Sequence, residues 1–67
     1  MMRPWLIEYR QKAGLSQADV AIKCGISRQY YSFIESGDRN CTVRIAKKIA
    51  NVLGFPWEKF YAEEEAQ

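Results

Sequence analysis

The stretch LSQADVAIKCGISRQYYSFIESG, residues 15–37, limits the fold more tightly than any other part of the chain. It contains two helical patterns, each of two to three turns, with little but Gly25 between them. Ser16 precedes the first pattern with Asp19 three residues on, the arrangement of a capping box, and Val20, Ala21 and Cys24 follow at helical spacing. Ser27 is the N-cap candidate of the second, where Tyr31, Ile34 and Glu35 line one side until Ser36 and Gly37 close it. A chain built around such a pair is a bundle of short helices joined by tight turns.

The remaining residues read the same way. Pro4 suits a first helical turn, Leu6 and Tyr9 share a face, and Gly14 is a stop, which predicts a helix from about Pro4 to Ala13. Thr42 caps a fourth helix on which Val43, Ala46, Ile49, Ala50 and Leu53 form the apolar stripe and Gly54 the end. Pro56 opens a fifth, WEKFYAEE, whose Trp57, Phe60 and Tyr61 are placed to close the bottom of the core. No window alternates as a strand does. The expected fold is therefore all-α, a five-helix domain over residues 1–61 followed by an acidic tail at 62–67. With 67 residues, one small core is all the chain supports, and a separate ligand-sensing domain does not fit.

Composition narrows the function. The chain has no histidine, and Cys24 and Cys41 do not form a CxxC pair, so neither a zinc site nor a disulfide framework is expected, and no cofactor is called for. No phosphate-binding glycine loop or cluster of acid, base and nucleophile is present, so an enzyme is not expected. No apolar run approaches the roughly 20 residues that span a bilayer, and the N-terminus lacks a secretory pattern, so the expected location is the cytoplasm, with no membrane partner. The formal charge of +2 conceals an asymmetry, because residues 1–61 hold ten basic and five acidic side chains. That net of +5 suits a polyanionic partner.

Two short helices joined at Gly25 suit a helix-turn-helix, whose second helix lies in the DNA major groove. Ala21 falls where the two helices must approach closely, and Gly25 where the turn needs positive φ. The residues GLSQADVA at 14–21, Gly25, IS at 26–27, IESG at 34–37 and KIANVLG at 48–54 carry a specific likeness. From Leu6 to Phe60 the chain resembles the phage repressor and Cro-type (Xre family) DNA-binding domain. That resemblance implies a lambda repressor-like five-helix bundle and a transcriptional regulator that binds double-stranded DNA.

Helical advance with Tyr31, Ile34 and Glu35 turned inward puts Gln29, Ser32, Phe33 and Ser36 on the outer face of the third helix, flanked at its start by Arg28 and Tyr30. Arg28, Gln29, Tyr30, Ser32 and Phe33 are the candidates for base contacts: an arginine pairs with guanine, a glutamine with adenine, and an outward phenylalanine rests on a thymine methyl. Arg39, Asn40 and Arg44 surround the start of the fourth helix and are assigned to phosphate. The resemblance adds Gln17 as a phosphate contact that braces the third helix. It also implies that Arg10 pairs with Glu35, a carboxylate on the core-facing edge that needs a partner. Three positions depart from the family pattern: Tyr31 stands where a branched aliphatic residue is usual, Cys41 where proline is common, and Asp38 where a basic residue is common.

Ile45 and Val52 lie off the main stripe of the fourth helix. With Trp57 and Tyr61 they are the candidate interface of a homodimer, which would read a roughly palindromic operator with half-sites about 34 Å apart. A different use of the same bundle is as an antitoxin-like module whose partner is another protein.

Overall fold

The computed structural model describes residues 2–65, with side chains as far as Ala62. The acidic side chains expected at 63–65 and the end of the tail at 66–67 lie outside the described residues. The elements are α1 (Pro4–Lys12), α2 (Gln17–Cys24), α3 (Arg28–Ser36), α4 (Val43–Leu53) and α5 (Lys59–Glu65), and among the described residues there is no strand.

The starts of the three central helices are fixed by side chains within the first turn. Ser16 Oγ accepts from the Asp19 amide at 3.0 Å, while Asp19 Oδ2 accepts from the Ser16 amide at 3.0 Å, a complete capping box. These hydrogen bonds from Ser16 hold the Asp19 carboxyl below its ordinary range. Ser27 Oγ accepts from the Tyr30 amide at 3.0 Å and Thr42 Oγ1 from the Ile45 amide at 3.3 Å, which starts α3 and α4. Between α2 and α3 the backbone turns at Gly25 in the left-handed region, φ 69°. The Ile26 amide then donates back to the Ala21 carbonyl at 3.0 Å. A side chain at Gly25 would strain this conformation, so glycine is what lets two helices follow one another so closely.

α2 packs against both α3 and α4, and α1 packs against α3. Their shared interior contains Leu6, Val20, Ala21, Cys24, Tyr31, Ile34, Ala46, Ile49, Ala50 and Leu53. Ala21 is buried at the α2 end of this core, where a longer side chain would separate the helices. Burial pushes the Cys24 thiol up, which keeps it protonated and unreactive. At the α1–α5 end an aromatic cluster fills the space: Trp5 meets Phe55 and Phe60 edge-on at 5.3 and 5.2 Å, and Tyr9 meets Phe55 at 4.9 Å.

Two expectations need correction. Val43, placed on the core stripe by spacing, is 43% exposed. It is the first residue of α4, and side chains in a helix lean toward the N-terminus, so Val43 projects past the end of the packed stripe. The fifth helix begins at Lys59 and not at Pro56. The Lys59, Phe60 and Tyr61 amides reach back three residues, to the carbonyls of Pro56, Trp57 and Glu58, so residues 56–58 form a tight turn before α-helical register is established.

Candidate nucleic-acid interface

The inner edge of α3 is anchored by charge. Glu35 is 3% exposed, and both of its oxygens are engaged. Arg10 Nε donates to Oε2 at 2.6 Å, and Gln17 Nε2 donates to Oε1 at 2.9 Å. Arg10 also donates to the Leu15 carbonyl at 3.0 Å, so one guanidinium ties α1 to the α1–α2 turn and to α3. Its bond to Glu35 raises the Arg10 pKa further, against the opposing effect of burial. Since a carboxylate only accepts, Gln17 must turn its NH2 group toward Glu35, and one amide hydrogen is left over. The Tyr31 hydroxyl is enclosed beside this pair without a hydrogen-bond partner of good geometry. Burial and the adjacent Glu35 carboxylate push its phenol far above the ordinary range.

The outer side of α3 is arranged around two adjoining depressions. Gln17, Arg28, Gln29 and Ser32 line one of about 470 Å³. Ser27, Gln29, Tyr30, Phe33 and Arg39 line the other, of about 260 Å³. Gln29 is common to both and sits at the middle of the surface. Arg28 and Gln29 are exposed, whereas Tyr30, Ser32 and Phe33 are half-buried. Among the described residues no hydrogen bond or ion pair engages Arg28, Gln29 or Arg44, so their donors are free for a ligand. Phe33 faces outward but is not bare, because the Arg39 guanidinium lies 5.6 Å from its ring centre. Tyr30 leans toward the α3–α4 loop, its hydroxyl 3.5 Å from the Asn40 carbonyl.

That loop brings Arg39 and Asn40 beside the start of α4, where the first backbone amides point outward and Arg44 is exposed. Asp38, acidic at a turn where the resemblance implies a basic residue, is tied to Ser36 Oγ at 2.9 Å and so serves to close α3.

Sequence reasoning missed Arg3. It is 6% exposed and donates to the carbonyls of Ile34 and Arg39 and to Asn40 Oδ1, the last at 2.9 Å. One signal was available: Arg3 is the N-cap of α1 and makes no side-chain cap there. A cation at the positive end of a helix dipole has no local stabilisation, so its reason must lie elsewhere in the fold.

Ile45, Val52, Trp57 and Tyr61 are half-buried and rest on the rim of the core. Trp57 and Tyr61 meet edge-on at 5.8 Å, and the Lys47 ammonium stands 5.2 Å from the Trp57 ring centre. Lys47 is two residues from Ile45, roughly 200° around the helix. The aromatic pair and the Ile45–Val52 pair therefore border α4 on different flanks.

A small all-helical domain with α2 and α3 joined at a left-handed glycine, and unengaged polar donors on the outside of α3, is a helix-turn-helix DNA-binding domain. The family model described as helix-turn-helix matches residues 6–60, and the chain belongs to the phage repressor and Cro-type (Xre) family of these proteins. It is 43% identical over 63 residues to the uncharacterised HTH-type transcriptional regulator YqaF of Bacillus subtilis (strain 168), covering 94% of this chain and 83% of that one. An HTH-type transcriptional regulator of Archaeoglobus fulgidus is 33% identical, with 98% and 94% covered. The control protein C.MunI of Mycoplasma sp is 33% identical, with 87% and 78% covered. The family is one of DNA-binding transcriptional regulators. No helix among the described residues is long and apolar enough to cross a membrane.

Proposed function

We propose that this chain is a sequence-specific regulator that binds a roughly palindromic DNA operator as a homodimer, with α3 in the major groove, and that it works by binding and not by catalysis, in the cytoplasm. The observation that carries the reading is the contrast between the two sides of α3. Its inner edge is held by Arg10 and Gln17 through Glu35, while Arg28 and Gln29 project outward with every donor unengaged. An end-on helix in the groove presents these first residues to base edges. Arg28 donates a pair of hydrogen bonds to guanine O6 and N7, Gln29 pairs with adenine N6 and N7, and Tyr30, Ser32 and Phe33 contact the flanking edges and a thymine methyl.

Phosphates are met on both sides of the groove. Gln17 offers its remaining amide hydrogen on one side, and Arg39, Asn40 and Arg44 meet the backbone at the start of α4 on the other. Around α4, Ile45 and Val52 on one flank and Trp57 and Tyr61 on the other supply the apolar rim through which a two-fold partner docks, setting two α3 helices about 34 Å apart.

Selection from randomised duplex DNA at near-physiological salt tests this function. The expected result is a motif with two inverted half-sites one helical turn apart. Recovery of nothing above random, from a folded protein, would replace this reading with a protein-binding module. Sedimentation at tens of micromolar without DNA tests the dimer separately, and a monomer there would count against it.

A further inference from the structure

The guanidinium of Arg3 joins parts of the chain that are distant in sequence. Its backbone amide donates to the Glu35 carbonyl at 2.8 Å and its side chain to the Ile34 carbonyl, two of the last carbonyls of α3. The positive charge is thereby placed at the negative end of that helix. The same side chain donates to the Arg39 carbonyl at 3.4 Å and to Asn40 Oδ1 at 2.9 Å, and it stands 5.7 Å from the Phe60 ring centre.

The bond to Asn40 has a chemical consequence. An arginine only donates, so it selects the oxygen of the Asn40 amide, and the nitrogen must then point away from Arg3. Asn40 is exposed, and among the described residues no hydrogen bond uses its Nδ2, so both amide hydrogens are free for a ligand at the loop that leads into α4. In the absence of Arg3 the amide would be free to rotate, and either end could face solvent.

We infer that Arg3 is a positioning residue for DNA binding: it fixes the Asn40 amide with its donors facing the phosphate backbone and locks the α3–α4 loop to the C-terminal end of the base-reading helix. This rests on the assignment of that loop to phosphate. Arg3 itself touches no DNA. The contact it orients is independent of base identity, so its loss weakens operator and random duplex alike.

The test is a double-mutant cycle on the full chain with Arg3→Lys and Asn40→Ala, each measured against the selected operator and a random duplex. Arg3→Lys keeps the net charge, so long-range attraction to DNA is preserved while the fork of donors is lost. Each single variant is expected to weaken both duplexes about tenfold, the loss of one hydrogen bond to a charged oxygen. The double variant is expected to be no weaker than either single, because both remove the same contact. Ethylation interference should lose the same phosphate in both variants while base preference stays.

Costs that multiply, or Arg3→Lys binding as the wild type does, would overturn the inference. Asn40→Ala removes an exposed side chain and keeps the test open should Arg3→Lys fail to fold. Wild-type affinity in Asn40→Ala overturns the inference alone. A wild type that binds no DNA overturns this inference together with the function it rests on, whereas intact wild-type binding with unaffected variants overturns the role of Arg3 and the phosphate contact of Asn40 and leaves the DNA-binding function standing.

Discussion

Replacing Arg10 by methionine should separate what holds α3 in place from what its outer face presents. Glu35 is 3% exposed and Arg10 Nε is 2.6 Å from Oε2, so the substitution leaves a buried carboxylate without its cation. Breaking a buried pair in this way costs about 3–5 kcal/mol. Gln17 still donates to Oε1, which favours the lower end of that range. A domain of this size has only about 3–10 kcal/mol of stability in total, so a loss of about 3 removes a large share of it.

The companion variant is Arg10→Met with Glu35→Met. Exchanging both charges, of which Glu35 is buried and Arg10 half-buried, for apolar groups of similar volume is commonly neutral or stabilising, so the double variant should return to within about 1 kcal/mol of the wild type. Urea unfolding at pH 7, followed by helical circular dichroism, measures both through the midpoint at constant slope. A single variant that loses less than about 1 kcal/mol, or a double variant no better than the single, would refute the reasoning. In the double variant Gln17 has lost its acceptor. DNA binding should therefore be weaker in a protein that folds normally.

Other consequences are separable. Gln29→Ala should cost about 1–3 kcal/mol and relax preference at particular bases, while Arg44→Ala should weaken all duplexes and lower the salt slope by about one; equal losses of Gln29→Ala on specific and random DNA would exclude base readout. A Cβ added at Gly25 meets nothing within 4 Å, so Gly25→Ala should lose only the left-handed backbone cost of about 1–2 kcal/mol, read from the urea midpoint. Tyr31→Phe removes an enclosed hydroxyl with no partner and should leave the midpoint unchanged or higher; a clear loss would show that the phenol donates to Glu35. Asp19 should titrate below 3.8 by carboxyl NMR. Because its folded value is depressed, the stability it contributes is complete above 3.8 and is lost as pH falls through that folded value. Ser16→Ala removes the hydroxyl but keeps the amide that contributes most, so the titration midpoint should move only part of the way back toward 3.8; a full return to 3.8 would exclude the backbone hydrogen bond as the main cause.

The parts of this fold that are readable from sequence are those whose causes are local. Ser16, Ser27 and Thr42 each cap a helix through an amide three residues away, so the start of α2, α3 and α4 is encoded within one turn. The inward set Tyr31, Ile34 and Glu35 follows from helical advance alone, and all three are buried. Val43 satisfied the same periodicity and is exposed, because periodicity gives a direction and not the extent of the partner it faces. Pro56 marks the entry to a tight turn and not the start of α5, because the three-residue closures at 56–58 delay the helix by a turn that no single residue announces. Arg3 was hard to read for the opposite reason: its side-chain hydrogen bonds to Ile34, Arg39 and Asn40 span 31, 36 and 37 residues, and the local signal at the start of α1 shows only that the cation lacks a reason there, not where its partners are.

These distances also explain how so small a domain can keep the outer face of α3 unencumbered. A helix of nine residues such as α3 is too short to be rigid by its own hydrogen bonds, so its position must be imposed from outside. Here the polar groups that impose it all act from behind or from the ends: Arg10 and Gln17 on the inner edge through Glu35, Arg3 at the C-terminal carbonyls, and Ser27 at the N-terminus. None of them draws on Arg28 or Gln29. Substitutions among the first group should therefore alter stability and affinity for every sequence together, whereas those at Arg28 and Gln29 should exchange one base preference for another in an unchanged fold. A Gln29 variant that bound a different half-site with an unaltered urea midpoint would follow directly from this separation. One that unfolded would show that the outer face also holds the helix in place.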